Sequence, residues 1–326
     1  MILIDVSHMF FRQFFMNLGN ILEFEQDPDD PSKKVCTGEV NEGFLTHLIY
    51  NNVLSFSNKF GGSKQNRVVA CCDSKPSWRH HWYVENCKNF LEYKGETYKG
   101  DRTKSDDYPW PKIWDALNDG LDALEQLSDF TVLRVDLAEA DDLIAVLAKE
   151  YRKTEDVYVC SSDKDFRQLQ SETCHIFDPI KKLIVPPIDV ERYKKIHFLV
   201  ACDDNIKQVK KGVGEKTAEK MLKELDIILQ TNADIRERYE FNRTLIDFDY
   251  IPTDLSDEIL RVFGETSASG HNPTGLLSFF SKKAMRKLAQ RIPEFKLPIE
   301  GKKFSVPRRQ EQSEKVDTSI EDFFNS

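Results

Sequence analysis

At 326 residues, 40% hydrophobic and 31% charged, the chain suits one large or two smaller globular domains; no apolar run is long enough to span a bilayer. Seven cysteines, an odd number with no CxxC pair and no repeated Cys/His spacing, argue against a disulfide framework and a structural zinc site, and a reducing cytoplasmic compartment is expected. The net charge of −9 counts against a nucleic-acid partner unless acids are sequestered by metal and bases cluster, so local patches decide more than the sum.

Ile2-Leu3-Ile4-Asp5-Val6 is a short apolar run with an acid near its end. It meets Asp5 at once, unlike a signal peptide. Ser7-His8-Met9-Phe10-Phe11 starts an aromatic-rich helix. Residues 25–38 hold Asp, Pro and Lys and are expected as an exposed loop. Residues 44–60 repeat apolar side chains at helical spacing. Val68-Val69-Ala70-Cys71-Cys72 is a second buried strand, again ending in an acid, Asp73.

From 77 to 111 the chain is rich in Trp, Tyr, His, Lys and Arg without a clear period, and is expected as an insertion. Residues 113–127 are helical again, and 130–135 form a third strand. Glu139-Ala140-Asp141-Asp142 then opens an amphipathic helix, its acids favoured by the helix dipole. Val157-Tyr158-Val159-Cys160 is a fourth strand that breaks at Ser161-Ser162 and delivers Asp163 and Asp165. His175-Ile176-Phe177 is a fifth.

Strands alternating with helices predict an α/β fold with a mostly parallel central sheet flanked by helices. In such sheets the ligand site lies beyond the carboxyl ends of the strands. Asp5, Asp73, Glu139, Asp141, Asp163 and Asp165 all follow strands there. A single strand-end Asp commonly caps a helix or turn. Acids after four strands are harder to explain as caps, and buried carboxylates call for a neutralising partner such as a divalent ion.

Past about residue 190 helices dominate, beginning with one over 190–200. Gly212-Val213-Gly214 before an Ala- and Lys-rich helix fits a hairpin between two helices, whose free N–H groups can bind phosphate. Lys207, Lys210, Lys211, Lys216, Lys220 and Lys223 make it locally basic. Asp247 and Asp249 fall outside the strand-end pattern and are expected to be structural. Residues 276–288 are expected as a last helix, and residues after Gly301 as a polar tail without a core.

A carboxylate cluster holding divalent ions at a sheet mouth suits phosphodiester hydrolysis. Here the motifs carry a resemblance: Leu3-Ile4-Asp5, Cys72-Asp73-Ser74, Glu139-Ala140-Asp141-Asp142, Ser161-Ser162-Asp163-Lys164-Asp165-Phe166, Asp204-Asn205-Ile206 and Gly212-Val213-Gly214-Glu215-Lys216-Thr217-Ala218. In this order, with Leu245-Ile246-Asp247-Phe248-Asp249-Tyr250-Ile251-Pro252, they resemble the flap endonuclease/5′-3′ exonuclease family over about residues 1–300, and its T-even phage ribonuclease H members in particular.

The resemblance implies a PIN-like nuclease core over 1–200 with an arch insertion at 77–111, and a helical DNA-binding region over 201–300 with a helix–three-turn–helix. A flexible tail over 301–326 would carry a clamp-binding peptide at Ile320, Phe323 and Phe324. It implies that Asp5, Asp73, Glu139 and Asp141 hold one Mg²⁺, with Mn²⁺ able to substitute, and that Asp163, Asp165 and Asp204 hold or orient a second. Relatives often carry one more Asp three positions before Asp204, where this chain has Ala201. Lys99 and Arg102 would stabilise transition-state charge, with Lys94 as an alternative and Arg79 as a second phosphate clamp. Lys211, Gly212, Gly214, Lys216 and Thr217 would grip duplex phosphates, with K⁺ at the hairpin.

The implied activity is a structure-specific 5′ nuclease of DNA replication. It would remove RNA primers and DNA 5′ ends or flaps by two-metal-ion hydrolysis. It is expected to be a monomer in the cytoplasm (a host's, if viral), with a sliding clamp and a single-strand-binding protein as candidate partners. A non-catalytic DNA-structure binder is the alternative, though such a binder has no need of so many acids. A phosphatase with an aspartyl nucleophile would need a second Asp after Asp5, where Asp5-Val6-Ser7 has none.

Overall fold

The computed structural model describes residues 1–30, 32–60, 67–87, 98–99, 108–201, 206–266 and 270–296. The first half builds a six-stranded sheet. Its strands are β1 (Ile2–Asp5), β4 (Val68–Cys71), β5 (Thr131–Leu133), β6 (Val157–Cys160), β7 (Cys174–Asp178) and β8 (Leu183–Ile184). They lie in the order β5-β4-β1-β6-β7-β8. Every neighbouring pair is parallel except β7–β8. β1 and β6 are buried along their whole length, as expected of strands covered on both faces.

Alternate residues of β1 divide the core. Ile2 and Ile4 face one layer, with α1 (Val6–Met16), α3 (Glu42–Phe60) and α5 (Trp110–Leu127). Met1 and Leu3 face the other, with α6 (Ala140–Tyr151) and α11 (Thr253–Glu265). The apolar side of α6, including Leu143, Ile144 and Leu147, is fully buried. Each such side chain contributes about 1.5–3 kcal/mol.

A third cluster is built from α4 (Trp78–Asn86), α7 (Val190–Val200), α8 (Glu215–Leu222), α9 (Leu225–Thr231) and α10 (Ala233–Ile246). In the helical region that follows the sheet, α7 and α8 pack in this cluster with Val209 and Val213 of the connection before α8. The chain then returns to the nuclease core. α12 (Pro273–Lys282) and α13 (Arg286–Ala289) place Leu276, Phe280 and Leu288 in the layer of α3 and α5.

Half of the expected loop over 25–38 is instead strand, where β2 (Leu22–Gln26) pairs antiparallel with β3 (Lys34–Val40). A short α2 (Leu18–Ile21) leads into it. Leu22, Phe24, Cys36 and Val40 pack on the core, while Glu23, Glu25 and Glu39 point outward. Charges on the solvent face of a two-stranded ribbon mask its alternation. The insertion expected from residue 77 begins as α4, whose Trp78, Arg79 and Tyr83 are buried. The expected helix over 276–288 is broken into α12 and α13, where Ala284 takes φ 56°.

Asp247 and Asp249 are structural, as their position suggested. Lys194 Nζ lies 2.7 Å from Asp247 and 2.6 Å from Asp249, and Lys149 Nζ lies 2.7 Å from Asp249. Against its partial burial, hydrogen bonds from Lys149 and Lys194 hold the Asp249 carboxyl well below the ordinary carboxylate range. That share of stability is complete above about pH 4 and fades as the pH falls below it. Asp247 is 2% exposed. Lys194→Met should therefore cost about 3 kcal/mol in a urea titration, since it leaves a buried carboxylate short of its main counter-charge.

Candidate active site

The parallel strands release their chains at one edge, and each release point carries an acid. Asp5 ends β1 and caps α1, accepting from the His8 backbone N–H at 2.9 Å and from Ser161 Oγ at 3.0 Å. Asp73 follows β4; its Oδ1 accepts from the Ala140 N–H at 2.8 Å and its Oδ2 from Ser7 Oγ at 2.6 Å. Glu139 and Asp141 open α6. Asp163 follows β6, accepts from the Asp165 N–H at 2.9 Å, and starts a 3-10 turn over Lys164–Leu169. The Glu139–Asp141 and Asp163–Asp165 pairs thus occupy loop ends and first turns, where alternate side chains need not face apart.

The electrostatics record how close these acids come. Burial pushes the Asp5 carboxyl up to about 6; the His8 N–H restrains the rise, and the charges of Asp163 and Asp73 add to it. Burial also raises Asp141 well above the ordinary carboxylate range, reinforced by Asp163 and Asp5. Asp5, Asp73, Asp141 and Asp163 therefore share one field. Glu139 behaves oppositely. Although burial alone would raise it, Lys99 and Arg79 hold it below the usual range. Lys99 Nζ donates to Glu139 Oε1 at 3.1 Å. Glu139 Oε2, buried, makes no hydrogen bond and lies 3.5 Å from Arg79 Nη1. Asp165 stands at the margin, 3.4 Å from His197 Nε2.

Arg79 differs from its expected role. It is 3% exposed, donates from Nη1 to Asp142 Oδ1 at 2.6 Å and from Nε to the Leu245 carbonyl at 2.9 Å. A phosphate clamp needs free donors, whereas this guanidinium ties α4 to α6 and α10. Its partner Asp142 is fully buried, accepts from Trp78 Nε1 at 3.1 Å and receives the Glu139 backbone N–H at 2.9 Å. Asp142 was legible in sequence only as the residue three after a helix-opening Glu, the spacing of a capping box.

Further residues had no role assigned from sequence. Ser7 and Ser161 orient Asp73 and Asp5 through their hydroxyls. His8 Nε2 is 2.6 Å from Ser162 Oγ and joins the start of α1 to the loop after β6. Removing that link in His8→Ala should lower activity about tenfold at fixed thermal stability, and His8→Gln should recover most of it in the same kinetic assay.

In the turn before α8, Gly212 takes φ +85°, a conformation costly for any residue with a Cβ. Gly214 caps α8, and its carbonyl accepts from the Thr217 N–H at 3.0 Å. Lys211 and Lys216 are exposed. Lys94, Arg102, Asp204 and the tail residues Ile320, Phe323 and Phe324 lie outside the described residues.

Residues 1–198 match the family described as the 5′-3′ exonuclease, N-terminal resolvase-like domain. The chain belongs to the 5′-3′ exonuclease family. Residues 194–295 of this exonuclease match a second description, T4 RNase H, C terminal. The Ribonuclease H of Enterobacteria phage T4 is 24% identical over 286 residues, covering 79% of this chain and 88% of that protein. The thermostable DNA polymerase I of Thermus thermophilus is 27% identical over 280 residues, 79% of this chain but only 29% of the polymerase.

Among solved structures, the T5 D15 protein co-crystallised with metal ions gives a TM-score of 0.55 at 18% identity, over 81% of this chain and 98% of that one. The bacteriophage T5 D15 flap endonuclease in a complex with DNA and metal ions gives 0.54 at 17% identity over the same shares. These two likenesses establish the fold. Family membership makes the chain a nuclease, a hydrolase of phosphodiester bonds.

Proposed function

We propose that this exonuclease is a Mg²⁺-dependent, structure-specific 5′ nuclease that removes RNA primers and DNA 5′ ends and flaps from duplexes in replication, by two-metal-ion hydrolysis. The observation that carries this reading is the shared field of Asp5, Asp73, Asp141 and Asp163 at one sheet edge, with the Asp5 and Asp141 carboxyls pushed up by burial and by neighbouring carboxylates.

Such a set fits a divalent cation. It is all oxygen, Lys99 and Arg79 answer only Glu139 directly, and Glu139 Oε2 lies buried without a hydrogen bond. Mg²⁺ prefers oxygen ligands and keeps several waters, so some of these acids would act through water. Asp5, Asp73, Glu139 and Asp141 would hold the first ion; Asp163, Asp165 and Asp204 would hold or orient the second. Bound ions supply Lewis-acid activation of water and neutralise charge on the phosphate.

The chain's own residues do the rest. Ser7, Ser161 and the Ala140 N–H fix the carboxylate rotamers before substrate arrives. Lys99, held at the edge by Glu139, is placed to meet charge developing on the phosphate, with Arg102 and Lys94 as further cations of the same segment. The turn at Gly212 and Gly214, with Lys211, Lys216 and Thr217, would hold duplex backbone without reading bases, with K⁺ a candidate ion there. The T5 flap endonuclease, solved in a complex with DNA and metal ions, supports this reading. Ile320, Phe323 and Phe324 would bind a sliding clamp, and removal of residues 313–326 should abolish that binding and spare cleavage.

The test is a 5′-labelled flapped duplex, with DNA or RNA at the 5′ end, incubated with Mg²⁺ or with EDTA. Cleavage with Mg²⁺ and none with EDTA is the expected result. Binding without cleavage under both conditions would leave a DNA-structure binder, and equal cleavage under both would remove the metal from the mechanism.

A further inference from the structure

Leu137 stands in a backbone conformation that leucine rarely adopts. Its φ is 65°, in the left-handed region. It occupies the third position of a turn closed from the Ala138 N–H to the Val135 carbonyl at 3.1 Å, a place that glycine or asparagine fills without strain. For a leucine the same geometry is strained. Packing does not offset the strain. The side chain is 41% exposed and belongs to none of the three apolar clusters, while Val135, Ala138 and Glu139 around it are buried. The backbone holds it in place. The Leu137 carbonyl accepts from the Trp78 N–H at 2.8 Å, and the Ala138 carbonyl accepts from the Ser74 N–H at 2.9 Å. Folding thus braces an apolar side chain outward at a position where glycine would cost less.

Its place in the fold gives it a use. The turn joins β5 to α6 at the acid edge. Leu137 lies two residues before Glu139, and the brace at Ala138 holds Ser74, the residue after Asp73. Two residues span at most about 7 Å, so the side chain stands within a nucleotide's reach of the acids. Lys99, whose Nζ donates to Glu139, is left-handed too, at φ 57°. Two non-glycine residues with positive φ therefore border Glu139, and strain of this kind collects at ligand sites. A phosphate held at the acid edge carries a nucleoside on each side, and the face of an unstacked base packs on apolar side chains. We propose that Leu137 packs against the face of a base next to the scissile phosphate, which makes the strained turn a substrate contact. The proposal rests on the 5′-nuclease reading for its substrate. It adds an apolar contact to a site otherwise built from charges.

The test compares a 5′-flapped duplex with the same duplex made abasic on both sides of the scissile bond. Both are titrated by fluorescence anisotropy with Ca²⁺ in place of Mg²⁺, then incubated with Mg²⁺ to read cleavage. The variants are Leu137→Gly, which removes the side chain and the strain together, and Leu137→Met, which keeps an apolar side chain of similar volume. The Tm of Leu137→Gly should equal that of the parent or exceed it by up to about 3 °C. Its affinity for the intact flap should nonetheless fall about tenfold, the loss expected on uncovering much of a leucine side chain. Leu137→Met should bind within about twofold of the parent. Removing the bases should weaken binding by the parent about tenfold and leave Leu137→Gly no weaker than before. A lower Tm for Leu137→Gly would assign the residue to packing and overturn the proposal. Unchanged affinity, or an equal abasic loss in parent and variant, overturns it as well. A parent that shows the base-dependent loss but cuts neither duplex would sink the nuclease reading and leave the Leu137 contact standing.

Discussion

Asp141→Asn is expected to lower cleavage of a 5′-flapped duplex by about 10³-fold while duplex binding persists. The same substitution should raise stability in metal-free buffer by about 1 kcal/mol. Both effects follow from one cause. Burial, together with Asp163 and Asp5, forces the Asp141 carboxyl well above its ordinary range, so its charge is a cost to the folded chain unless a cation is present. An amide of the same shape removes that cost and removes a ligand with it. Asp73→Asn should behave alike in activity, its Oδ1 and Oδ2 being oriented by the Ala140 N–H and Ser7 Oγ. Parallel measurement of cleavage and of thermal unfolding in EDTA decides the matter. Activity within tenfold of the parent, or a fall in metal-free stability, would remove Asp141 from the proposed site.

Arg79→Met should destabilise the protein by about 3–5 kcal/mol, because it leaves Asp142 buried with no cation. For a chain of this size that is a fall of roughly 10 °C in Tm. The Asp142 carboxylate is fully buried, and Arg79 Nη1 is the cation against it at 2.6 Å. The Trp78 indole N–H and the Glu139 N–H also converge on Asp142, so its loss would loosen the first turn of α6, which carries Glu139 and Asp141. Arg79→Met/Asp142→Leu, which removes both charges, should recover much of the stability. A phosphate clamp at position 79 would give the contrary pattern: Arg79→Met would keep its Tm, and substrate affinity alone would fall.

Particular residues show what could be read early. The helix over 190–200 was legible to the residue, since Asp189 supplies an N-cap and the apolar period is regular. β1, β4 and β6 were legible as apolar runs closed by polar residues. The ribbon of β2 and β3 was not, because half of each strand faces water and its charges resemble a loop. The break at Ala284 was hidden for another reason: alanine favours helix, and only the docking of Met285 and Leu288 into the α3–α5 layer turns the chain there. The role of Arg79 was hidden because an arginine beside a tryptophan looks the same in sequence whether it faces solvent or a buried acid.

By itself the sequence determined the alternation of strands and helices and set an acid at the end of each of four strands. Both are local properties, written in spacing and residue type along a few neighbouring positions. Only the tertiary structure decided that Asp5, Asp73, Asp141 and Asp163 share one field, that Asp142 claims Arg79, and that His8 reaches Ser162. Those relations join residues 63 to 154 positions apart in the case of Arg79–Asp142 and His8–Ser162. Coulomb and hydrogen-bond energies depend on distance through space, which the packing of the layers sets and the order of the chain does not.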